Sequence, residues 1–157
     1  IGMPGSGKTQ IGQALARQLN RAFLDTDELI VEAAGRSIPQ IFAEEGEEAF
    51  RGIERRVVAR CAEQHGVVIA TGGGTILSEA NRIALSQNGR IYHILRETGK
   101  LALGGRPLSV DMEALRRMEA ARMPVYTAAA DVSIDNNGDM DRATASILED
   151  FYENTGD

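Results

Sequence analysis

The sequence predicts an α/β protein in three layers, with a mostly parallel, five-stranded sheet covered by helices on both faces. Short apolar runs such as Val67–Ala70 lack polar alternation, which is typical of buried parallel strands. Amphipathic stretches of about ten or more residues separate these runs and indicate crossover helices. The 157 residues are 43% hydrophobic and 25% charged, as expected for one globular domain. We therefore expect residues 1–157 to form a single domain.

In the first half of the chain, the predicted elements follow from the spacing of apolar residues and from the residues that end each pattern. Apolar residues three and four apart predict a helix over 9–20, and the run at 22–24 predicts a buried strand. The next helix is expected to stop at Gly35. A further helix, interrupted at Gly46, precedes a long amphipathic helix over 47–64.

In the second half, Val67–Ala70 has glycines on both sides and predicts another buried strand. A helix over 78–86 follows, and the Asn-Gly pair at 88–89 turns the chain into a strand over 91–95. Residues 99–111 contain three glycines and a proline, and we expect a mobile lid there. A helix, a strand and a last helix are predicted at 111–124, 132–135 and 139–152.

Charge and cysteine content exclude several classes of protein. The chain has 17 Lys and Arg against 23 Asp and Glu, and the net charge of −6 has the wrong sign for binding nucleic acid through its phosphates. The single Cys61 excludes an intramolecular disulfide, and two distant histidines, His65 and His93, cannot build a structural zinc site. The sequence has no apolar run of about 18 residues, and we expect no signal peptide. We expect a cytoplasmic protein without nucleic-acid or membrane partners.

Residues 2–9 read Gly-Met-Pro-Gly-Ser-Gly-Lys-Thr and match the phosphate-loop pattern G-x-x-x-x-G-K-[ST] at every fixed position. A helix is predicted directly after them, so backbone N–H groups and the helix N-terminus would face the phosphates of a nucleotide. Lys8 is expected to reach the β- and γ-phosphates, and the Thr9 hydroxyl to ligate Mg²⁺. The remaining predicted nucleotide contacts in this loop are Gly5, Ser6 and Gly7.

The phosphate loop also predicts where the first strand lies. A strand leads into such a loop, but the sequence starts at Ile1, on the loop itself. We therefore expect the first of the five strands upstream of Ile1 or truncated there.

Carboxylates follow the strand at 22–24, at the sheet edge where ligands of α/β proteins bind. Asp25 is a candidate for holding a Mg²⁺-bound water, and Asp27 for accepting a hydrogen bond and the proton of a substrate hydroxyl. By itself such a pair is more often a helix cap with a solvated partner. Beside a phosphate loop, we favour the functional interpretation.

Arginines and glycines supply the other candidates. Arg51 and Glu54 lie three residues apart on a helix, so Glu54 would orient the guanidinium, although an exposed ion pair is the ordinary alternative. Three glycines at 72–74 allow a ligand to approach the backbone, or form a loose turn. Arg106 and Arg122 would close over phosphate and substrate, or are merely solvated.

Taken together, these segments resemble the shikimate kinases in order and spacing, over nearly the whole chain. The resemblance implies a P-loop kinase fold like that of nucleoside monophosphate kinases. It also implies phosphorylation of the 3-hydroxyl of shikimate by ATP in aromatic amino-acid biosynthesis. The matching segments are residues 2–9, Asp25-Thr26-Asp27, Phe50-Arg51 with Glu54, residues 71–74, Arg106-Pro107-Leu108 and Arg122-Met123-Pro124-Val125-Tyr126.

The resemblance implies a role for each matching residue. Asp27 would hold the shikimate hydroxyls and act as the base, and Arg51 and Arg122 would bind its carboxylate. Arg106 would move in with the lid to contact the transferring phosphate. Lys8 would take part in catalysis, and the remaining implied contacts are the backbone of Gly72, Gly73 and Gly74 and a Mg²⁺ site at Thr9 and Asp25.

The chain departs from the family pattern at two places on the nucleotide side. Gly99, with Lys100 beside it, replaces an arginine that contacts adenine in many members. The loop after the last strand carries Asn136 and Asn137 where some members have basic residues, and Asn137 is the candidate contact there. How adenine is held is therefore left open.

Two other functions fit the phosphate loop. One is another small-molecule kinase on the same scaffold, acting on gluconate or on a nucleoside monophosphate. The other is a non-catalytic nucleotide-binding domain, which degraded motifs would have favoured. We expect ATP and shikimate as partners, and a monomer that is either free or one part of a fusion protein.

Overall fold

The computed structural model describes residues 1–101 and 108–155, in which helices and strands alternate. The helices are α1 (Lys8–Leu19), α2 (Thr26–Ala34), α3 (Ile38–Ala62), α4 (Glu79–Asn88), α5 (Leu108–Ala129) and α6 (Met140–Thr155). The strands are β1 (Ala22–Asp25), β2 (Val67–Ala70), β3 (Tyr92–Leu95) and β4 (Val132–Asp135). Short 3₁₀ turns lie at Thr75–Leu77 and Thr98–Lys100. The predicted α/β class is confirmed.

The strands form two parallel pairs. Strand β1 pairs with β2, with Ala22 opposite Val67 and Asp25 opposite Ala70. Strand β3 pairs with β4, with Tyr92 opposite Val132. Because parallel strands end at the same edge, the residues that follow β1 and β2 adjoin one another. Asp27 and the glycines at 72–74 are brought together in this way.

A cleft separates the two pairs, so the predicted single sheet of five strands is not confirmed. The cavity between β2 and β3 measures about 230 Å³ and is lined by apolar side chains that include Val68 and Ile91. The backbone of Ile1 lies along β3: its nitrogen donates to the Tyr92 carbonyl, and its carbonyl accepts from the Ile94 N–H, both at 2.8 Å.

Three apolar clusters hold the layers together, and one of them reaches the site. One joins α1 and α6 to β3 and β4, and a second joins α2 to α3 and includes Cys61, which is packed as the sequence predicts. The third extends from Met3 in the phosphate loop to Tyr126 in α5. In the described part of the chain, no helix is long and apolar enough to cross a membrane.

Two helices differ from their predicted bounds. The predicted interruption at Gly46 is confirmed, since its φ of 85° and ψ of 175° kink α3 without ending it. The helix predicted from 111 begins at Leu108, inside the segment predicted as a lid. Residues 102–107 lie outside the described residues, and the lid stays a prediction. Helix α5 also continues past Pro124 to Ala129, although proline removes one helical hydrogen bond. We attribute the continuation to Tyr126, which this last part of the helix buries completely.

Candidate active site

The phosphate loop is a tight turn stabilised by the residue that follows β4. Gly5 and Gly7 adopt φ of 76° and 97°, a region that side chains disfavour. A Cβ on Gly7 would also come within 2.7 Å of the Asn136 amide nitrogen. That amide donates to the Ser6 carbonyl at 2.8 Å and is buried. Sequence reasoning assigned Asn136 only to the base loop, because nothing local in the sequence pairs residues 130 positions apart.

Lys8 folds back over its own loop. Its ammonium group donates to the carbonyls of Gly2 and Met3 at 2.8 and 2.7 Å. Burial lowers the pKa of Lys8 to about 8; Asp27 and Asp25 oppose this, and Arg122 contributes to it. The lysine therefore lies among the predicted acidic and basic site residues, and it has to release these carbonyls to reach a phosphate.

Nucleotide binding is expected to take up protons near pH 8. Phosphate oxygens would replace the two carbonyls and raise the pKa of Lys8, which is half protonated when the pH equals its pKa of about 8. An uptake of about half a proton per nucleotide follows. Calorimetric titration of ADP in two buffers of different ionisation enthalpy measures it. The Lys8→Arg variant keeps its charge at this pH, so it should bind without uptake, and a wild-type value of zero would contradict the prediction.

Asp25 serves both as a helix cap and as the partner of Thr9. One carboxylate oxygen accepts from the Asp27 and Glu28 N–H groups at 3.0 and 3.4 Å, which caps α2. The other accepts from the Thr9 hydroxyl at 2.9 Å. Hard oxygen ligands of this kind suit Mg²⁺. Since no cluster of three or more His, Cys, Asp or Glu exists among the described residues, a divalent ion here would take its other ligands from phosphate and water.

Asp27 lies where β1 and β2 end, against the glycine loop, by which we mean Gly72, Gly73 and Gly74. Burial is the main cause that raises the pKa of Asp27, followed by the charges of Asp25 and Glu54, while Lys8 and Arg51 act in the opposite direction. The neighbouring Thr26 is buried, and its hydroxyl oxygen accepts from the Gly72 N–H at 3.1 Å. Sequence reasoning missed Thr26, which fixes the distance between Asp27 and the loop.

Arg51 is held by a buried carboxylate, which decides between the two interpretations of this pair. Its guanidinium donates to Glu54 at 2.9 Å, and Glu54 is only 1% exposed. The other Glu54 oxygen accepts from the Thr75 hydroxyl at 2.8 Å. An exposed ion pair would leave the arginine free to move, whereas this arrangement holds the guanidinium in one orientation.

No position of the glycine loop has room for a side chain, because a different group occupies the space beside each glycine. A Cβ on Gly72 would lie 2.6 Å from the Asp27 carboxylate, and one on Gly73 would lie 2.7 Å from the Pro4 ring. A Cβ on Gly74 would lie 2.7 Å from the Arg51 guanidinium. The loop thus packs against the predicted base, the phosphate loop and the predicted anion-binding residue at once.

The remaining predicted site residues are Arg122, Arg106 and Asn137, and the structure places them differently relative to the site. Arg122 is close enough for its charge to lower the pKa of Lys8, so the structure brings it to the site. Arg106 lies outside the described residues. The Asn137 side chain is engaged within its own neighbourhood, accepting from the Glu97 N–H and donating to Asp135, each at 2.7 Å. Its contact with a nucleotide stays a prediction.

A phosphate loop with carboxylates and an arginine held in place beside it, on an α/β fold, is typical of P-loop kinases for small molecules. The family model for shikimate kinase matches residues 4–152. The shikimate kinase of Symbiobacterium thermophilum is 42% identical, and the alignment covers 98% of this chain and 94% of that protein. The shikimate kinase of Mycobacterium ulcerans is 39% identical, and the alignment covers 99% of this chain and 90% of that protein. The chain belongs to the shikimate kinase family.

Solved structures agree with this assignment. A shikimate kinase from Acinetobacter baumannii in complex with shikimate has a TM-score of 0.90 at 32% identity, covering 98% of this chain and 92% of that one. The shikimate kinase of Aquifex aeolicus has a TM-score of 0.85 at 31% identity, covering 98% and 94%. The family resemblance found in the sequence motifs is confirmed, and so is the P-loop kinase fold.

Proposed function

We propose that this enzyme transfers the γ-phosphoryl group of ATP to the 3-hydroxyl of shikimate, giving shikimate 3-phosphate and ADP. The observation that carries the proposal is that the buried Glu54 and Thr75 hold Arg51 in place beside Asp27. A fixed guanidinium suits a carboxylate, and an aspartate next to it suits hydroxyls. Shikimate carries both groups.

The residues on the acceptor side would bind and orient shikimate. Arg51 and Arg122 would hold the carboxylate, with backbone contacts from the glycine loop. Asp27 would accept a hydrogen bond from the reacting hydroxyl and then its proton. Burial raises the pKa of Asp27, which favours proton acceptance, and positioning of this kind is most of what phosphoryl transfer requires of a protein.

The residues on the nucleotide side would hold the phosphates. The backbone of Gly5, Ser6 and Gly7 would surround them, and Lys8 would leave the loop carbonyls to contact the β- and γ-phosphates. Arg106 would neutralise charge on the transferring group. Thr9 and Asp25 would hold Mg²⁺, which neutralises phosphate charge when it is bound.

We also propose that the complete sheet has five parallel strands, the additional one lying between β2 and β3 and leading into Ile1. The cleft there is apolar, as a buried central strand requires. Ile1 already makes strand-like hydrogen bonds to Tyr92 and Ile94. With this strand in the cleft, β1, β2, β3 and β4 would belong to one sheet, with the phosphate loop at its centre.

The choice of acceptor is the direct test. ADP release should depend on shikimate and should not occur with gluconate or AMP at the same concentration. The methyl ester of shikimate, which keeps the hydroxyls but lacks the negative charge, should have a KM at least about 10-fold higher, because the arginines lose a charged partner. Equal turnover of acid and ester would contradict the arginine assignment, and turnover of another acceptor alone would contradict the substrate.

A further inference from the structure

Tyr126 is a buried residue of α5 to which the proposed mechanism assigns no role, yet its hydroxyl reaches the glycine loop. The side chain is 0% exposed. Its O–H donates to the Gly73 carbonyl at 2.5 Å, a contact between residues 53 positions apart. Its ring stacks on that of His93, with centroids 4.8 Å apart. The ring and the hydroxyl are therefore both fixed in place.

The same hydroxyl also interacts with Arg122, which precedes it by one turn of α5. Burial raises the pKa of Tyr126, and the nearby Arg122 guanidinium lowers it. A phenol donates one hydrogen bond and can accept others. The Tyr126 hydroxyl thus donates to the glycine loop and keeps lone pairs that can accept from Arg122.

The peptide between Gly73 and Gly74 connects the Tyr126–Gly73 hydrogen bond with Arg51. Because a trans peptide is planar, fixing the Gly73 carbonyl also directs the Gly74 N–H to the opposite side. No group in the described ranges accepts a hydrogen bond from that N–H. Gly74 in turn lies so close to Arg51 that a Cβ there would come within 2.7 Å of the guanidinium. The loop therefore lies against Arg51 and is joined by the Tyr126 hydroxyl to the neighbourhood of Arg122.

We propose that Tyr126 is a positioning residue whose hydroxyl sets the separation of Arg51 and Arg122 and thereby the fit of the acceptor carboxylate. The inference rests on the proposed function, since it requires a carboxylate between the two arginines. Without the hydroxyl, the partly buried Gly73 carbonyl would lose its donor and the loop would shift. The acceptor site would then change while the phosphate loop keeps its bonds to Lys8 and Asn136.

The Tyr126→Phe variant tests this, because it keeps the ring and removes only the hydroxyl. We expect the KM for shikimate to rise about 10-fold, the factor that corresponds to one lost buried hydrogen bond, and the KM for ATP to change less than about twofold. Tyr92→Phe is the matched control. The Tyr92 hydroxyl donates to Asp150 at 2.7 Å, away from the site, so its loss should lower the melting temperature and leave both KM values unchanged.

A double variant tests whether the effect passes through Arg122. In an Arg122→Met background, Tyr126→Phe should raise the KM for shikimate less than it does in the wild type, because the two residues act on the same carboxylate. Equal rises in the KM for shikimate and for ATP, or a loss of stability with both KM values unchanged, would overturn the inference alone. A wild type that does not turn over shikimate would overturn the proposed function and this inference with it.

Discussion

The Asp27→Asn variant is expected to lose between about 10²- and 10⁴-fold in kcat, the range that a general base contributes. Asparagine keeps the size of the side chain and its place beside Gly72, but it cannot accept the proton of the substrate hydroxyl. The KM for ATP should change little, because the bonds of Lys8, Thr9 and Asp25 do not involve this carboxylate.

The pH dependence provides a second readout of the same residue. Below its pKa, Asp27 is protonated and cannot act as a base, so kcat/KM for shikimate should fall as the pH falls. Burial raises that pKa above the ordinary 3.8, so the fall should begin at a higher pH than for an exposed aspartate. The Asp27→Asn variant should not show this fall of kcat/KM at low pH.

An aspartate that only caps a helix is the appropriate comparison. Asp139 accepts from the Asp141 N–H at 2.9 Å at the start of α6. Asp139→Asn should leave kcat and its pH profile unchanged. If Asp27→Asn behaved in the same way, the assignment of Asp27 as the base would be wrong.

The second large effect is expected for Glu54→Gln, which removes the charge that holds Arg51. We expect the KM for shikimate to rise at least about 10-fold, because the guanidinium loses its charged partner and its fixed orientation. The free energy of unfolding should fall by about 1–3 kcal/mol, since a neutral amide weakens the hydrogen bond from Arg51 and offers one acceptor oxygen in place of two. Steady-state kinetics and urea unfolding measure the two effects.

An exposed pair on another helix is the control for this substitution. Glu113 accepts from Arg117 at 3.0 Å, and both side chains are more than two-thirds exposed, at 79% and 71%. Glu113→Gln should change the stability by less than about 0.5 kcal/mol and leave the kinetics unchanged. If Glu54→Gln had no larger effect than this control, burial of the ion pair would have no functional role.

Local sequence patterns predicted the parts of the site that lie within one element. The phosphate loop is continuous in sequence, and Arg51 with Glu54 follows from the periodicity of a single helix. The fold class could be predicted for the same reason, because buried strands and amphipathic helices each have their own pattern.

The parts that the sequence did not predict depend on contacts between distant residues. Burial of Glu54 requires Thr75, and the geometry of the glycine loop requires Thr26 and Tyr126, which lie on other elements. The sequence predicted that α5 would end at Pro124, because proline removes a hydrogen bond within the helix. The helix continues to Ala129 and buries Tyr126 against other elements, a contact that local sequence does not reveal. The single sheet predicted from the sequence is not found, because a cleft separates β2 from β3.

The glycine loop has a consequence for inhibition. Its three glycines are required by the closeness of Asp27, Pro4 and Arg51, so adding any side chain would displace a group that the enzyme uses. Every substitution other than proline would also keep the amide N–H groups of this loop. An inhibitor that takes its hydrogen bonds from these amides would therefore contact atoms that only a proline substitution removes. Resistance through this loop would require the enzyme to distort its own acceptor site.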